Sequence, residues 1–119
     1  MTACNAPVQI DRIDHFVLTV ADIEATCDFY SRVLGMQVVH FESMGTKRVA
    51  LAFGGQKINL HPADAVPDPN VLNPTPGSAD FCLTTATPLA DVQAHLAREG
   101  VAVILGPVMR TGARGKIHS

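Results

Sequence analysis

The sequence predicts an α+β fold made of paired β-α-β-β-β modules, the second of them incomplete. Three observations point there. Short apolar runs bounded by Gly and Pro read as strands. Two segments place their apolar residues at helical spacing. The chain also echoes itself at an offset of 65 residues, which sets Phe16, Leu18 and Thr19 over Phe81, Leu83 and Thr84, and Gly35 over Gly100. Val38 and Val39 then fall over Val103 and Ile104. These identities lie at matching points of two strand-helix-strand units.

In the first unit, residues 10–20 are rich in Ile, Val, Phe and Leu and lack Gly and Pro, so they predict a strand. Asp22 offers an acceptor to the free N–H groups of a helix start. Ile23, Cys27, Tyr30 and Leu34 share one helical face, and Gly35 can take the positive φ that ends the helix. Residues 36–42 form the next strand, Met44-Gly45 a turn, 46–53 a third strand, Gly54-Gly55 a tight hairpin turn and 57–61 a fourth strand. Residues 62–78 hold five of the eight prolines and read as an extended linker. In the second unit, 79–85 is the predicted strand. Thr87 is the expected N-cap, Pro88 the first helical residue, and Leu89, Val92 and Leu96 the apolar stripe. A further strand runs to about Leu105, residues 110–115 form a turn, and Lys116–Ser119 begin another strand. The expected organisation is one domain over residues 8–119, with a first module at 8–62, the linker, and a shortened second module at 79–119.

A length of 119 residues fits one such domain, and 47% hydrophobic content supplies its core. A formal net charge of −2 without a basic stretch argues against a nucleic-acid partner. No apolar run reaches the roughly 18 residues of a membrane span. The N-terminal residues lack a signal-peptide pattern, and Cys4, Cys27 and Cys82 have no CxxC spacing. A cytoplasmic protein with reduced thiols is therefore expected. Nucleotide-loop, GxSxG and HExxH motifs are absent.

Strand alternation isolates the candidate site residues. Phe16, Leu18 and Val20 share a face suited to a helix, and His15, Val17 and Thr19 share the other. Ile58 and Leu60 point one way, Asn59 and His61 the other. If the sheet curves, His15 and His61 can aim into one hollow, and neutral imidazole ligates Zn, Fe, Ni and Mn ions. The alternative is a half-buried strand residue and a strand-end residue. Asp80 occupies the position of His15 in the second module, as a third ligand, a partner of a ligand histidine, a general base or a local backbone cap. Arg48, Arg110 and Arg114, with Asn59, are the candidate contacts for a carboxylate or phosphate on a small substrate, against the alternative of solvated charges. His40 and His95 read as rim or solvated residues, and His118 as a weaker ligand candidate.

The strings IDHFVLTV, DFYSRVLGM and FGGQKINLH, followed in order by PGSADFCLTT and GPVMRTGARGKIHS, resemble the vicinal oxygen chelate superfamily of glyoxalases, bleomycin-resistance proteins and extradiol dioxygenases. The nearest likeness is to the glyoxalase-domain-containing protein 5 and virulence-associated subgroup, over residues 10–119. The resemblance implies a cleft that holds one divalent ion (Zn, Ni, Mn or Fe), with ligands from the first and last strands of each module. His15 and His61 match the first-module pair, and Asp80 stands where many relatives place a His. The final family ligand, a Glu after a DPDGN-like turn, has no counterpart before Ser119, and a partner chain or further sequence is expected to complete the second module. The resemblance further implies a homodimer and a metal-dependent lyase, isomerase or dioxygenase acting on a small oxygen-rich substrate. Metal-free sequestration of a ligand, as in bleomycin-resistance proteins, is the other expectation.

Overall fold

A computed structural model describes residues 7–119, so Cys4 lies outside the described residues. The chain divides into two compact units, with the boundary between Phe81 and Cys82.

The first unit begins with β1 (His15–Val20), followed by α1 (Ile23–Arg32). Residues 10–14, expected within the strand, stay outside it, because β4 offers its first register partner, Lys57, only at His15. Asp22 caps α1 by accepting a hydrogen bond from the Ala25 N–H at 3.0 Å. At the far end Gly35, at φ +69°, lets its N–H reach the Ser31 carbonyl and the Met36 N–H reach the Tyr30 carbonyl. These bonds close the last helical turn. Next come β2 (Gln37–Ser43), β3 (Thr46–Phe53) and β4 (Gln56–Pro62). Two-residue turns at Met44–Gly45 and Gly54–Gly55 join them, all four residues at positive φ. That conformation matches the twist of the flanking strands.

The four strands form one sheet in the order β1-β4-β3-β2, with β1 and β4 parallel and the other pairs antiparallel. One face carries Leu18, Leu51, Ile58 and Leu60, which pack with Met36 and with Ile23, Cys27 and Tyr30 of α1. Leu51 and Ile58 are wholly buried, each contributing roughly 1.5–3 kcal/mol of apolar burial. The helix covers this face and leaves the other to the polar residues.

The second unit contains α2 (Leu89–Arg98) and a hairpin of β5 (Met109–Gly112) and β6 (Gly115–His118). Here several expectations are corrected. Pro88, not Thr87, is the N-cap, and Leu89 opens the helix. The Thr87 N–H is turned to the Thr85 hydroxyl, and the Pro88 carbonyl receives the Asp91 and Val92 N–H groups. Residues 79–85 and 101–105 belong to no strand. Their composition favours extended backbone, but a strand also needs a neighbour to bond its N–H and C=O groups. Ile104 is fully exposed and Leu105 largely so. Residues 110–112, expected in a turn, lie in β5, and the turn shrinks to Ala113–Arg114.

The candidate pocket on the open face of the sheet

The register of three strand pairs lays the open face out as rows. Phe41 lies opposite Arg48, and the β3–β4 register, continued one step past Val49↔Leu60, brings Arg48 beside His61, whose parallel partner is Thr19. The next row is Val39, Ala50, Asn59 and Val17. The third is Gln37, Ala52, Lys57 and His15. Ala50 and Ala52 are the small residues of these rows, and Ala50 is wholly covered. Across this face the Lys57 Nζ reaches to 4.1 Å from the Phe41 ring centroid, a cation–π contact.

The first row holds the pocket. Phe41, Ser43, Arg48, Asn59 and His61 line a cavity of about 80 Å³. A water needs roughly 10–15 Å³ of cavity space, so this one admits a group of a few heavy atoms. His61 is 5% exposed. Its Nε2 accepts a hydrogen bond from Arg48 Nη1 at 3.4 Å. Because a guanidinium can only donate, this contact favours the tautomer with Nε2 bare and the proton on Nδ1. Burial, and then the charge of Arg48, pull His61 below the usual histidine range, so the ring is neutral at neutral pH. Arg48 Nε and Asn59 Oδ1 are buried without a hydrogen-bond partner among the described residues. Leaving such a group unpaired costs about 1–3 kcal/mol, a cost that functional sites often carry.

A larger cavity, about 500 Å³, lies between β1, α1 and residues 71–81. Leu18, Val20, Phe29, Tyr30 and Phe81 make it largely apolar, and its one carboxylate, Asp22, is occupied as the helix cap. The smaller pocket, by contrast, is lined by Arg48, Asn59 and His61.

The other candidates fall elsewhere. His15 shares the open face but stands two rows from His61. That offset of four residues is roughly 13 Å along the strands. Its Nδ1 bonds the Asp14 carboxylate at 2.8 Å at the exposed strand start. Asp80 is exposed in the unpaired segment, and Arg110 and Arg114 are exposed on the hairpin of the second unit. His40 and His118 are exposed, while His95 is half-buried rather than solvated. Sequence reasoning missed Phe41 and the Arg48–His61 contact. Both follow from the two-residue turns, since counting back from Gly54–Gly55 pairs Arg48 with His61, and from Met44–Gly45 pairs Phe41 with Arg48.

The model of the Glyoxalase/Bleomycin resistance protein/Dioxygenase superfamily matches residues 12–118. The chain belongs to this superfamily. Similar superfamily proteins include virulence protein STM3117 of Salmonella typhimurium, 51% identical over 92% of this chain and 74% of that protein. The glyoxalase domain-containing protein RDO1 of Mycosarcoma maydis is 47% identical over 94% of this chain and 61% of that protein. The crystal structure of STM3117 superposes with a TM-score of 0.88 at 50% identity, covering 93% of this chain and 86% of that one.

Members of the superfamily often use a divalent metal. Imidazole–metal bonds of about 2.0–2.1 Å require the ligating rings to meet at one point. The row offset keeps His15 and His61 apart, and the His61 nitrogen facing the pocket is already turned to a cationic guanidinium. Among the described residues no group of three or more His, Cys, Asp or Glu side chains could hold a metal ion. The pair expected from the sequence does not fit a shared ion. No described helix is long and apolar enough to cross a membrane.

Proposed function

We propose that this chain is a glyoxalase-like protein that binds a small oxygen-rich molecule in the Arg48–Asn59–His61 pocket and converts it as a lyase or isomerase. His61 is the proton acceptor. The observation that supports this reading is a buried, neutral imidazole with its bare nitrogen turned to an arginine. A neutral imidazole takes a proton near neutral pH, and its lowered basicity makes the return of that proton to product easy. In the proposed step the proton leaves a carbon next to the substrate carbonyl for Nε2. The electron pair moves onto the carbonyl oxygen, and Arg48 holds the resulting negative charge.

The test is ¹H NMR in D₂O of small hydroxy-carbonyl compounds incubated with the protein. Solvent deuterium enters the position next to the carbonyl with the parent protein and fails to enter with folded His61→Gln. Equal exchange in both overturns the role of His61. Sequestration without turnover is the second reading, favoured by the exposure of Asp80, which leaves no carboxylate among the pocket-lining residues. Stoichiometric binding with no exchange for any compound supports it.

A further inference from the structure

From the two unpaired buried atoms beside His61 we infer that the pocket's ligand is a carboxylate with a hydroxyl on the adjacent carbon, held by Arg48 and Asn59. This rests on the reading that the pocket binds a small molecule.

The unpaired atoms are of opposite kinds. Arg48 Nε–H is a donor that lacks an acceptor, and Asn59 Oδ1 is an acceptor that lacks a donor. A ligand that satisfies both carries an anionic oxygen and, close by, an O–H. Arg48 and Asn59 sit diagonally across the β3–β4 pair, in neighbouring rows of one face, where Cα atoms are about 7–8 Å apart. Side chains converging from that spacing suit groups on adjacent carbons rather than groups at the two ends of a long molecule.

Both atoms are covered, so the ligand reaches them by turning Arg48. The contact that holds the guanidinium to His61 is 3.4 Å, well beyond the usual 2.9–3.0 Å for N–H bonds and therefore weak. Giving it up frees Nε–H and an Nη–H to point in parallel at one planar carboxylate, a bidentate pairing that exceeds the lost bond in strength. The same turn bares His61 Nε2. The hydroxyl then donates to Asn59 Oδ1, with the His61 nitrogen facing the carbon that bears it. A cavity of about 80 Å³ has room for this head group. The guanidinium fork suits carboxylate and phosphate alike, and carboxylate is chosen because the cavity is small.

The experiment uses glycolate, acetate, glycolamide and inorganic phosphate as probes, titrated into ¹⁵N-labelled protein while the His61 ring and Arg48 side-chain resonances are followed. Glycolate is expected to shift both sets of resonances. Acetate, lacking the hydroxyl, and glycolamide, lacking the charge, should bind about tenfold or more weaker. Phosphate should bind no tighter than acetate. Arg48→Lys keeps the charge but loses the fork, and should weaken glycolate by a similar factor. Acetate or glycolamide matching glycolate overturns the inference while the pocket reading stands, as does phosphate binding most tightly. If no probe moves the His61 or Arg48 resonances, the pocket reading fails as well. The probe series runs on the unmodified protein, so the result holds even if Arg48→Lys does not fold.

Discussion

Arg48 and His61 face each other at 3.4 Å from adjacent antiparallel strands, the guanidinium turned to the imidazole Nε2. Protonating Nε2 would set two cations against each other at a histidine that is only 5% exposed. The open face of the sheet thus holds a histidine that resists charging.

Stability should follow pH accordingly. The His61 pKa is lowered in the folded chain, by burial first and Arg48 second, so the unfolded chain binds the proton more readily. His61's contribution to stability is intact above its ordinary pKa of about 6.5 and declines as pH falls from there through the folded value. Lys57 shares the face but is turned to Phe41, leaving Arg48 as the charge at the ring. Urea denaturation between pH 8 and roughly pH 5 should show a drop in the parent protein that is reduced in His61→Gln. Equal slopes in both proteins would place the proton elsewhere.

His15 and His61 should behave as independent residues. With about 13 Å of strand between them, a double-mutant cycle of His15→Gln and His61→Gln is expected to be additive within roughly 0.3–0.5 kcal/mol. After equilibration with zinc and desalting, His61→Gln should retain the metal content of the parent. A loss of zinc common to both single variants would show that the rings share an ion.

The core under α1 should be sensitive to truncation. Leu51 and Ile58 are fully buried at the centre of the sheet. Leu51→Ala or Ile58→Ala is expected to cost about 2–5 kcal/mol in urea or thermal unfolding. A change under about 1 kcal/mol would mean that the helix does not seal that face.

The described thiols should differ in reactivity. Cys27 is half-buried against the core, and burial raises its thiol pKa, whereas Cys82 is exposed. Iodoacetamide labelling followed by peptide mass analysis should modify Cys82 in the native protein and Cys27 chiefly after denaturation. Equal native rates would contradict the packing of α1.

Local chemistry made much of the first module legible. Asp22 and Gly35 bracket α1 because a cap acceptor and a positive-φ residue have few other uses at those positions. The Gly54–Gly55 turn fixes the β3–β4 register, and alternation along the strand puts Asn59 and His61 on one face. Alternation gives a face, however, and not a row. No tight turn links β1 to β4, so nothing near His15 in the chain reveals that its neighbour is Lys57 rather than His61. The same gap accounts for residues 79–85 and 101–105. Valine, isoleucine and phenylalanine announce extended backbone, but the partner that would make it a strand is not encoded nearby.

The parallel seat of β4 between β1 and β3 also imposes an order of events on synthesis. The two hairpin turns and α1 can organise from neighbours in the chain, but β1 has no sheet partner until residues from Lys57 to Pro62 have left the ribosome. A nascent chain stalled before that point keeps Phe16, Leu18 and Val20 on an unzipped ribbon, open to capture by other chains. The strand that carries His61 is therefore also the one that ends this exposure.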